Sequence, residues 1–358
     1  MSMAFRRSLA CLAAVFYLLL CSCAPQGANA SAAAQKFSGT FYGAFDTVIS
    51  LIGYTEKEET FNAAFAETQE IFMHYHRIYD AYNAYDGINN LYAVNHSAGT
   101  GPVAAEPELI DLLLYMKELQ PLLLGRVNIA LGAVLSCWHE YREAGQAVPP
   151  VEQLQALAEH CSYDDVIIDE EAGTVFFADP YLQLDLGAVA KGYACERAAQ
   201  ALLNGPMPSF IISAGGNVRC GLSPLDGRLH WGVGIQDPIA PSFLNQIMET
   251  LYTHDMSVVT SGDYQRYYEV NGVRYHHIID PDTLFPSGFM HSVTVLTQDS
   301  ALADALSTCF FLLPYEEGRV LADSMEGVEV YWVLNDGSVY FTAGMGPLLR
   351  SQGASSLR

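Results

Sequence analysis

The chain has 358 residues, 51% hydrophobic and 16% charged, a composition that builds a packed core and excludes a disordered chain. Its 17 Lys+Arg stand against 40 Asp+Glu, a net charge of −23. Such a surface repels nucleic-acid phosphates, so a broad nucleic-acid interface is not expected, and any anionic ligand must be received by a metal ion, a helix N-terminus or a few placed cations.

Arg6 and Arg7 precede an apolar run, Leu9 to Leu20, too short to span a bilayer with margin. It ends in 20-LCSC-23, followed by Ala24-Pro25-Gln26-Gly27. This reads as a secretory signal. A leucine three residues before a cysteine, with a small residue just before that cysteine, resembles the bacterial lipobox. Cleavage then leaves Cys23 as the lipidated N-terminus and anchors the chain to a membrane through lipid. A plain signal peptide with incidental cysteines is the alternative. The expected organisation is a signal over 1–22, a small-residue tether over 23–36, one folded domain over 37–345 and a C-terminal tail over 346–358.

Phe37 to Tyr54 alternates as a strand or hairpin, and Glu56 to Tyr79 has helical spacing with Phe61, Phe65, Phe72 and Met73 on one side. The Tyr-, Asn- and Gly-rich 80–95 reads as a loop. Helices are expected over Pro107 to Leu119, Leu131 to Glu143 and Val151 to His160. Val166 to Phe177 reads as a hairpin turning at 171-EAG-173. A further helix spans Ala188 to Leu203. Short strand-like runs follow: 209–213, 230–235, 257–260, 273–279 and 291–296. The apolar 300–313 reads as a helix, and 328–334 with 338–342 as a closing hairpin around Asp336-Gly337. Strands and helices mix without regular alternation, which predicts a single α+β domain.

Cys11, Cys21 and Cys23 lie in the signal, leaving Cys137, Cys161, Cys195, Cys220 and Cys309 without CxxC spacing. The odd count argues against a disulfide framework, a tetrathiolate zinc site has no support, and these cysteines read mostly as small buried hydrophobes.

Four stretches could carry chemistry. In 184-LDLGAVAKGYACERAA-199, Gly187 permits a turn, and Lys191-Gly192 opens a helix whose N-terminus suits an anion. Asp185 repels phosphate, so it implies a ligand hydroxyl or a metal neighbourhood; a capped helix with a solvated lysine is the simpler alternative. In 213-SAGGNVRCG-221, two glycines let a ligand approach the backbone, or simply make a tight turn. In 276-HHIIDPDTLFP-286, His277 and Asp280 end an apparent strand before Pro281 forces a turn. His277 is a candidate acid, base or ligand-orienting group, or a hydrogen-bonded strand histidine. In 299-DSALADALSTCFFLL-313, Asp304 and Thr308 share a helical face. A carboxylate and a hydroxyl suit Mg²⁺, which takes few protein ligands and keeps phosphate oxygens and water. Thr308 bonding back to a carbonyl is the alternative. Asp299 and Ser300 are natural caps, yet they leave Asp304 unexplained in an apolar helix, where a carboxylate is costly without a partner.

In this order and spacing, 185-DLGAVAKGYACE-196, 213-SAGGNVRCG-221, 261-SGDYQRYYEVNGVRYHHIIDPDTLFP-286 and 292-SVTVLTQDSALADALSTCFF-311 resemble the ApbE family, the FAD:protein FMN transferases. Further matches are 45-FDTVISL-51, 80-DAYNAYDGINNLYAVN-95 and 127-VNIALGAVLSCWHEYR-142, so the likeness runs from about Phe37 to the closing hairpin. The resemblance implies an enzyme that binds FAD and Mg²⁺. It moves FMN onto a Thr or Ser hydroxyl of an acceptor flavoprotein and releases AMP, on the outer face of the cytoplasmic membrane. Some members instead hydrolyse FAD to FMN and AMP; a non-catalytic FAD-binding lipoprotein is a further alternative. It implies Asp304, Thr308 and the Ala188 carbonyl as metal ligands. Asp185, Lys191, Phe45, Tyr82 and Asn128, Ile129 and Ala130 would contact FAD, with His277 beside the reacting region. A neutral hydroxyl nucleophile benefits from a base, for which His277 and Asp280 are the candidates. Two residues depart from the family pattern: Glu196 stands for the usual Asp, and Leu284 for the usual Gly, which predicts a reshaped turn after Pro281.

Overall fold

A computed structural model describes residues 34–145, 147–240 and 246–357. The signal over 1–22 and the lipidation site Cys23 lie outside the described residues, as does most of the tether. The tether's last two residues, Gln35 and Lys36, already belong to the first strand.

Strands β1 (Gln35–Ala44) and β2 (Thr47–Thr55) form the expected hairpin. Phe45 (φ 52) and Asp46 (φ 50) make its tip, the paired left-handed conformation of a two-residue turn. Helix α1 (Glu58–Tyr79) follows, then α2 (Leu91–Asn95), a short helix within the segment read as loop. Strand β3 (Val103–Ala104) leads into α3 (Pro107–Leu119), α4 (Gly132–Ala144) and α5 (Val151–Ala158). β4 (Val166–Asp169) and β5 (Thr174–Phe177) are the second hairpin, which β3 extends to three strands. Helix α6 (Ala190–Asn204) begins just after the Asp185 loop.

The remaining strands are β6 (Phe210–Ala214), β7 (Asn217–Cys220), β8 (Trp231–Gln236), β9 (Ile247–Thr253), β10 (Ser257–Gly262), β11 (Tyr267–Val270) and β12 (Val273–His276). β13 (Met290–Thr297), α7 (Ser300–Leu312), α8 (Tyr315–Asp323), β14 (Glu329–Leu334) and β15 (Val339–Phe341) complete the elements that matter here. Eight strands form one sheet in the order β1-β2-β6-β7-β10-β13-β14-β15. Every neighbouring pair in it is antiparallel. Helices α1, α6 and α7 pack side by side, with α6 against β6 and β7 and α7 against β10 and β13. The α+β expectation holds.

Several local readings change. The 213–221 stretch is a hairpin: Gly215 and Gly216 make its turn and Asn217 to Cys220 continues as β7. β9, β11 and α8 gave no clear period in the sequence. The strand expected over 273–279 stops at His276, so His277 lies just past its end. The C-terminal segment is not a loose tail. Leu349 is fully buried and bridges Leu251 of β9, while the carbonyl of Ser356 accepts the N–H groups of Leu229 and His230. All five cysteines are free and buried, as read.

Among the described residues, three apolar clusters stand out. The first runs under α3, α6, α7, β13 and β14, and the second under α1, β1, β2 and β6. The third gathers Leu131, Val134, Cys137, Trp138, Leu154, Cys161, Ile279 and Leu284. Leu284 corrects the expected reshaping of its turn. It takes φ 62, the left-handed conformation that suits glycine, and so keeps a glycine-like turn with a leucine in it. Its side chain is buried, and Trp138 Nε1 donates to its carbonyl at 2.9 Å. Leu284→Gly relieves about 1 kcal/mol of left-handed strain but deletes a buried leucine side chain, at about 2–5 kcal/mol. The variant is expected to lose roughly 2 kcal/mol, read as a lower urea midpoint; an unchanged or higher midpoint means that strain dominates at this position.

Candidate active site

The opening turn of α6 and the middle of α7 meet at Gly192. A Cβ there would lie 2.3 Å from the Ser300 carbonyl oxygen and 2.5 Å from Asp304 Cβ, distances no side chain tolerates. Only glycine lets the helices approach this closely. The Gly192 N–H then donates to Asp304 Oδ2 at 2.8 Å, and Lys191 Nζ lies 3.7 Å from the same oxygen. Asp304 is buried. Burial raises its pKa, while Lys191, Gly192 and Asn217 oppose that rise.

That bond frees a second oxygen. In an unbroken helix the Gly192 N–H would bond the carbonyl four residues back, which belongs to Ala188. Here the N–H is taken by Asp304, and among the described residues none donates to the Ala188 carbonyl. Thr308 is one turn along α7 from Asp304. Its hydroxyl does not bond back to a carbonyl; it lies 3.3 Å from Ser261 Oγ, while Ser307 makes the bond to the Asp304 carbonyl at 2.9 Å. Beside them lies the buried Asn217, whose side chain favours the charged form of Asp304. The described residues contain no group of three His, Cys, Asp or Glu side chains able to hold a metal. The oxygens on offer are one carboxylate, one hydroxyl and one open carbonyl, hard donors that fit Mg²⁺ completed by ligand oxygens.

Asp185 sits on the loop before α6. Its N–H donates to the Ile129 carbonyl at 2.8 Å, and its Oδ1 accepts from Gly187 at 2.7 Å. Burial raises its pKa against the pull of His139 and Arg266. The 128–130 segment props this loop. Ile129 and Ala130 bury their side chains and Asn128 bonds the Cys161 carbonyl and the Ala130 N–H, so what it offers a ligand is backbone rather than a side-chain surface. Tyr82 is 55% exposed and its ring lies 5.3 Å from that of His139. Phe45, at the β1–β2 tip, packs on Phe72 and His76, and Arg266 Nη2 reaches its carbonyl at 3.5 Å.

His277 is brought to this group by its neighbours. Its N–H and its Nδ1 both meet the Arg266 carbonyl, at 3.1 and 3.2 Å. A carbonyl only accepts, so Nδ1 carries the hydrogen and Nε2 the lone pair. Burial first, then the charges of Arg266, His276 and Lys191, push its pKa down to about 3. Lys191 thus acts on both Asp304 and His277. Asp280 is occupied elsewhere: Oδ1 accepts from the Asp282 N–H at 2.8 Å and lies 3.7 Å from Arg126 Nη1. Its carboxylate shapes the turn that Leu284 completes.

Sequence reasoning assigned no role to Arg266, His139, Ser261 or Asn217. All four lie in quoted motifs, but nothing in their spacing says that they converge.

A model of the ApbE family matches residues 45–332, and the chain belongs to that family. An FAD:protein FMN transferase of Treponema pallidum is 35% identical over 271 residues, 71% of this chain and 73% of that protein. One from Klebsiella pneumoniae is 30% identical over 251 residues, 70% of this chain and 76% of that protein. The ApbE protein of Thermotoga maritima has the same fold, with a TM-score of 0.78 at 25% identity, covering 88% of this chain and 99% of that one. The flavin transferase ApbE of Vibrio cholerae shares it too, with a TM-score of 0.75 at 23% identity and the same coverage.

Gly192→Ala tests the helix contact. In an open helix the change gains about 1 kcal/mol; here the added methyl forces the helices apart and is expected to cost about 1–3 kcal/mol, measured by urea unfolding. The low pKa of His277 has its own signature. The unfolded chain takes up this proton below about pH 6.5, whereas the folded site refuses it until about 3. Folding stability therefore falls as pH drops from 6.5 towards 3. His277→Gln is expected to flatten that part of the stability profile, and identical acid profiles for the two proteins would show that His277 is not held neutral by the fold.

Proposed function

We propose that this member of the ApbE family transfers the FMN half of FAD to a Thr or Ser hydroxyl of an acceptor flavoprotein, with AMP leaving and Mg²⁺ bound at Asp304. Relatives 35% and 30% identical over 71% and 70% of this chain carry the name FAD:protein FMN transferase. The observation that carries the metal-centred part is the Gly192–Asp304 contact, which holds a buried carboxylate in place and leaves the Ala188 carbonyl open.

Asp304, Thr308 and the Ala188 carbonyl would hold the ion, and Mg²⁺ there neutralises charge that develops on pyrophosphate oxygens. In the transfer, the acceptor hydroxyl oxygen forms a bond to the FMN phosphorus. The bond from that phosphorus to the AMP oxygen breaks, and its electron pair leaves with AMP. The hydroxyl proton goes to a base. His277 suits this role better than Asp280, because its Nε2 lone pair is available and the Asp280 carboxylate is engaged by its own turn. An incoming pyrophosphate brings negative charge that raises the His277 pKa from its low resting value. Lys191 supplies a fixed positive charge next to both Asp304 and His277. Asp185, Tyr82 and Phe45 would meet the nucleoside hydroxyls and rings; the nearness of Arg266 to all three supports this reading. The 20-LCSC-23 sequence supports a lipid anchor at Cys23 and a domain held on the outer face of the cytoplasmic membrane.

Asp304→Asn is expected to slow flavinylation about 100-fold or more, read as the covalent flavin fluorescence of an acceptor band in a denaturing gel. Turnover equal to the parent protein sinks the metal-centred reading. FMN accumulating from FAD and Mg²⁺ with no acceptor, and no flavinylated band with one, would assign hydrolysis instead.

A further inference from the structure

Glu196 departs from the family pattern and has no part in the chemistry above, yet it is buried between α6 and α7. Its Oε2 accepts the N–H of Ser300, the first residue of α7, at 2.9 Å and lies 3.3 Å from Arg219 Nε. Its Oε1 accepts from Gln200 at 2.6 Å. Arg219 is 1% exposed; it also reaches Asp255 Oδ1 at 3.0 Å and the Cys220 carbonyl. The network joins α6, β7, the turn before β10 and the start of α7.

The spacing is reciprocal. Gly192 and Glu196 are four apart on α6, and Ser300 and Asp304 are four apart on α7, so each pair shares a face. The backbone N–H of Gly192 donates to the carboxylate of Asp304, and the backbone N–H of Ser300 donates to the carboxylate of Glu196. Two hydrogen bonds of opposite sense, one helical turn apart, fix both the rotation and the height of α7 against α6. A buried ion pair adds little stability over apolar packing, but it can specify one geometry.

Resting on the metal-site reading, we propose that Glu196 is a positioning residue: by holding the Ser300 N–H it sets where α7 starts, and so where Asp304 presents its carboxylate. Arg219 Nε, 3.3 Å from Oε2, keeps the Glu196 carboxylate aimed. The added methylene of Glu over Asp provides the reach from α6 to that N–H.

The test is Mn²⁺ titrated into the full chain and followed by electron paramagnetic resonance, with thermal unfolding of the same samples. Groups that orient metal ligands affect affinity by about 10- to 100-fold. Glu196→Asp keeps the charge but shortens the reach, and is expected to weaken Mn²⁺ binding about tenfold. Glu196→Gln keeps length and acceptor; it lowers the unfolding temperature by leaving Arg219 less well paired, but binds Mn²⁺ within about twofold of the parent. Ser300→Pro removes the N–H at a first helical position that accepts proline, leaves the Glu196–Arg219 pair in place, and reproduces the weakened binding. Undiminished Mn²⁺ binding in Asp304→Asn overturns the metal site and this proposal together. Binding lost in Asp304→Asn but unchanged in Glu196→Asp and Ser300→Pro overturns the positioning role alone. A loss in Glu196→Gln as large as in Glu196→Asp traces the effect to the ion pair's stability and also overturns it.

Discussion

A carboxylate buried between two helices is the constraint from which the rest of the site follows. Asp304 lies in an apolar helix where an unpartnered charge is not tolerated. Its partners come from the first turn of α6, through the Gly192 N–H and the Lys191 ammonium. Because that N–H is diverted, the Ala188 carbonyl is left open. Because the contact requires glycine, the helices sit too close for any other residue at 192. Charge, open ligand and helix packing are therefore one arrangement, and none can change without the others.

The acidic balance gives this arrangement its purpose. With a net charge of −23, the molecule as a whole opposes an anionic dinucleotide. The local answer is a set of fixed positive charges. Lys191 and Arg266 both act on His277, and Arg266 acts on Asp185 as well. Burial first, and then these cations, hold His277 neutral at rest. On the proposed reading, an incoming anion would make it more basic, so that substrate binding would ready the base.

Much of the fold was legible in the sequence. The longer helices and most strands of the large sheet declared themselves, because each buries at least one face on a large core. What escaped was local. β7 follows a two-glycine turn that reads as loop on its own; β9 and β11 belong to small two-stranded sheets whose faces are only partly buried. α8 is nine residues long, too short a span for its pattern to stand out in the sequence. In the candidate site, Asp304 stood out because a carboxylate in an apolar helix asks for an explanation, Thr308 because it shares that face, and Lys191 because it opens a helix. Arg266 and Asn217 were not, since an arginine or an asparagine in a loop-like stretch is unremarkable until distant segments meet. Ile129 and Ala130 show the converse: a motif can matter through its backbone while its side chains serve the core.

Leu284 carries a consequence for the history of the chain. A leucine in a left-handed turn is an unfavourable first step, tolerated only once its side chain has something to fill. Here Trp138, Ile279 and Phe285 surround it and the Trp138 indole bonds its carbonyl. With that environment in place, glycine is no longer the neutral choice, because going back would leave an empty space in the third cluster. Leucine at this position depends on its neighbours and fills the space among them. The loop that follows His277 has thereby become tied to the packing of α4, and the two are expected to change together rather than one residue at a time.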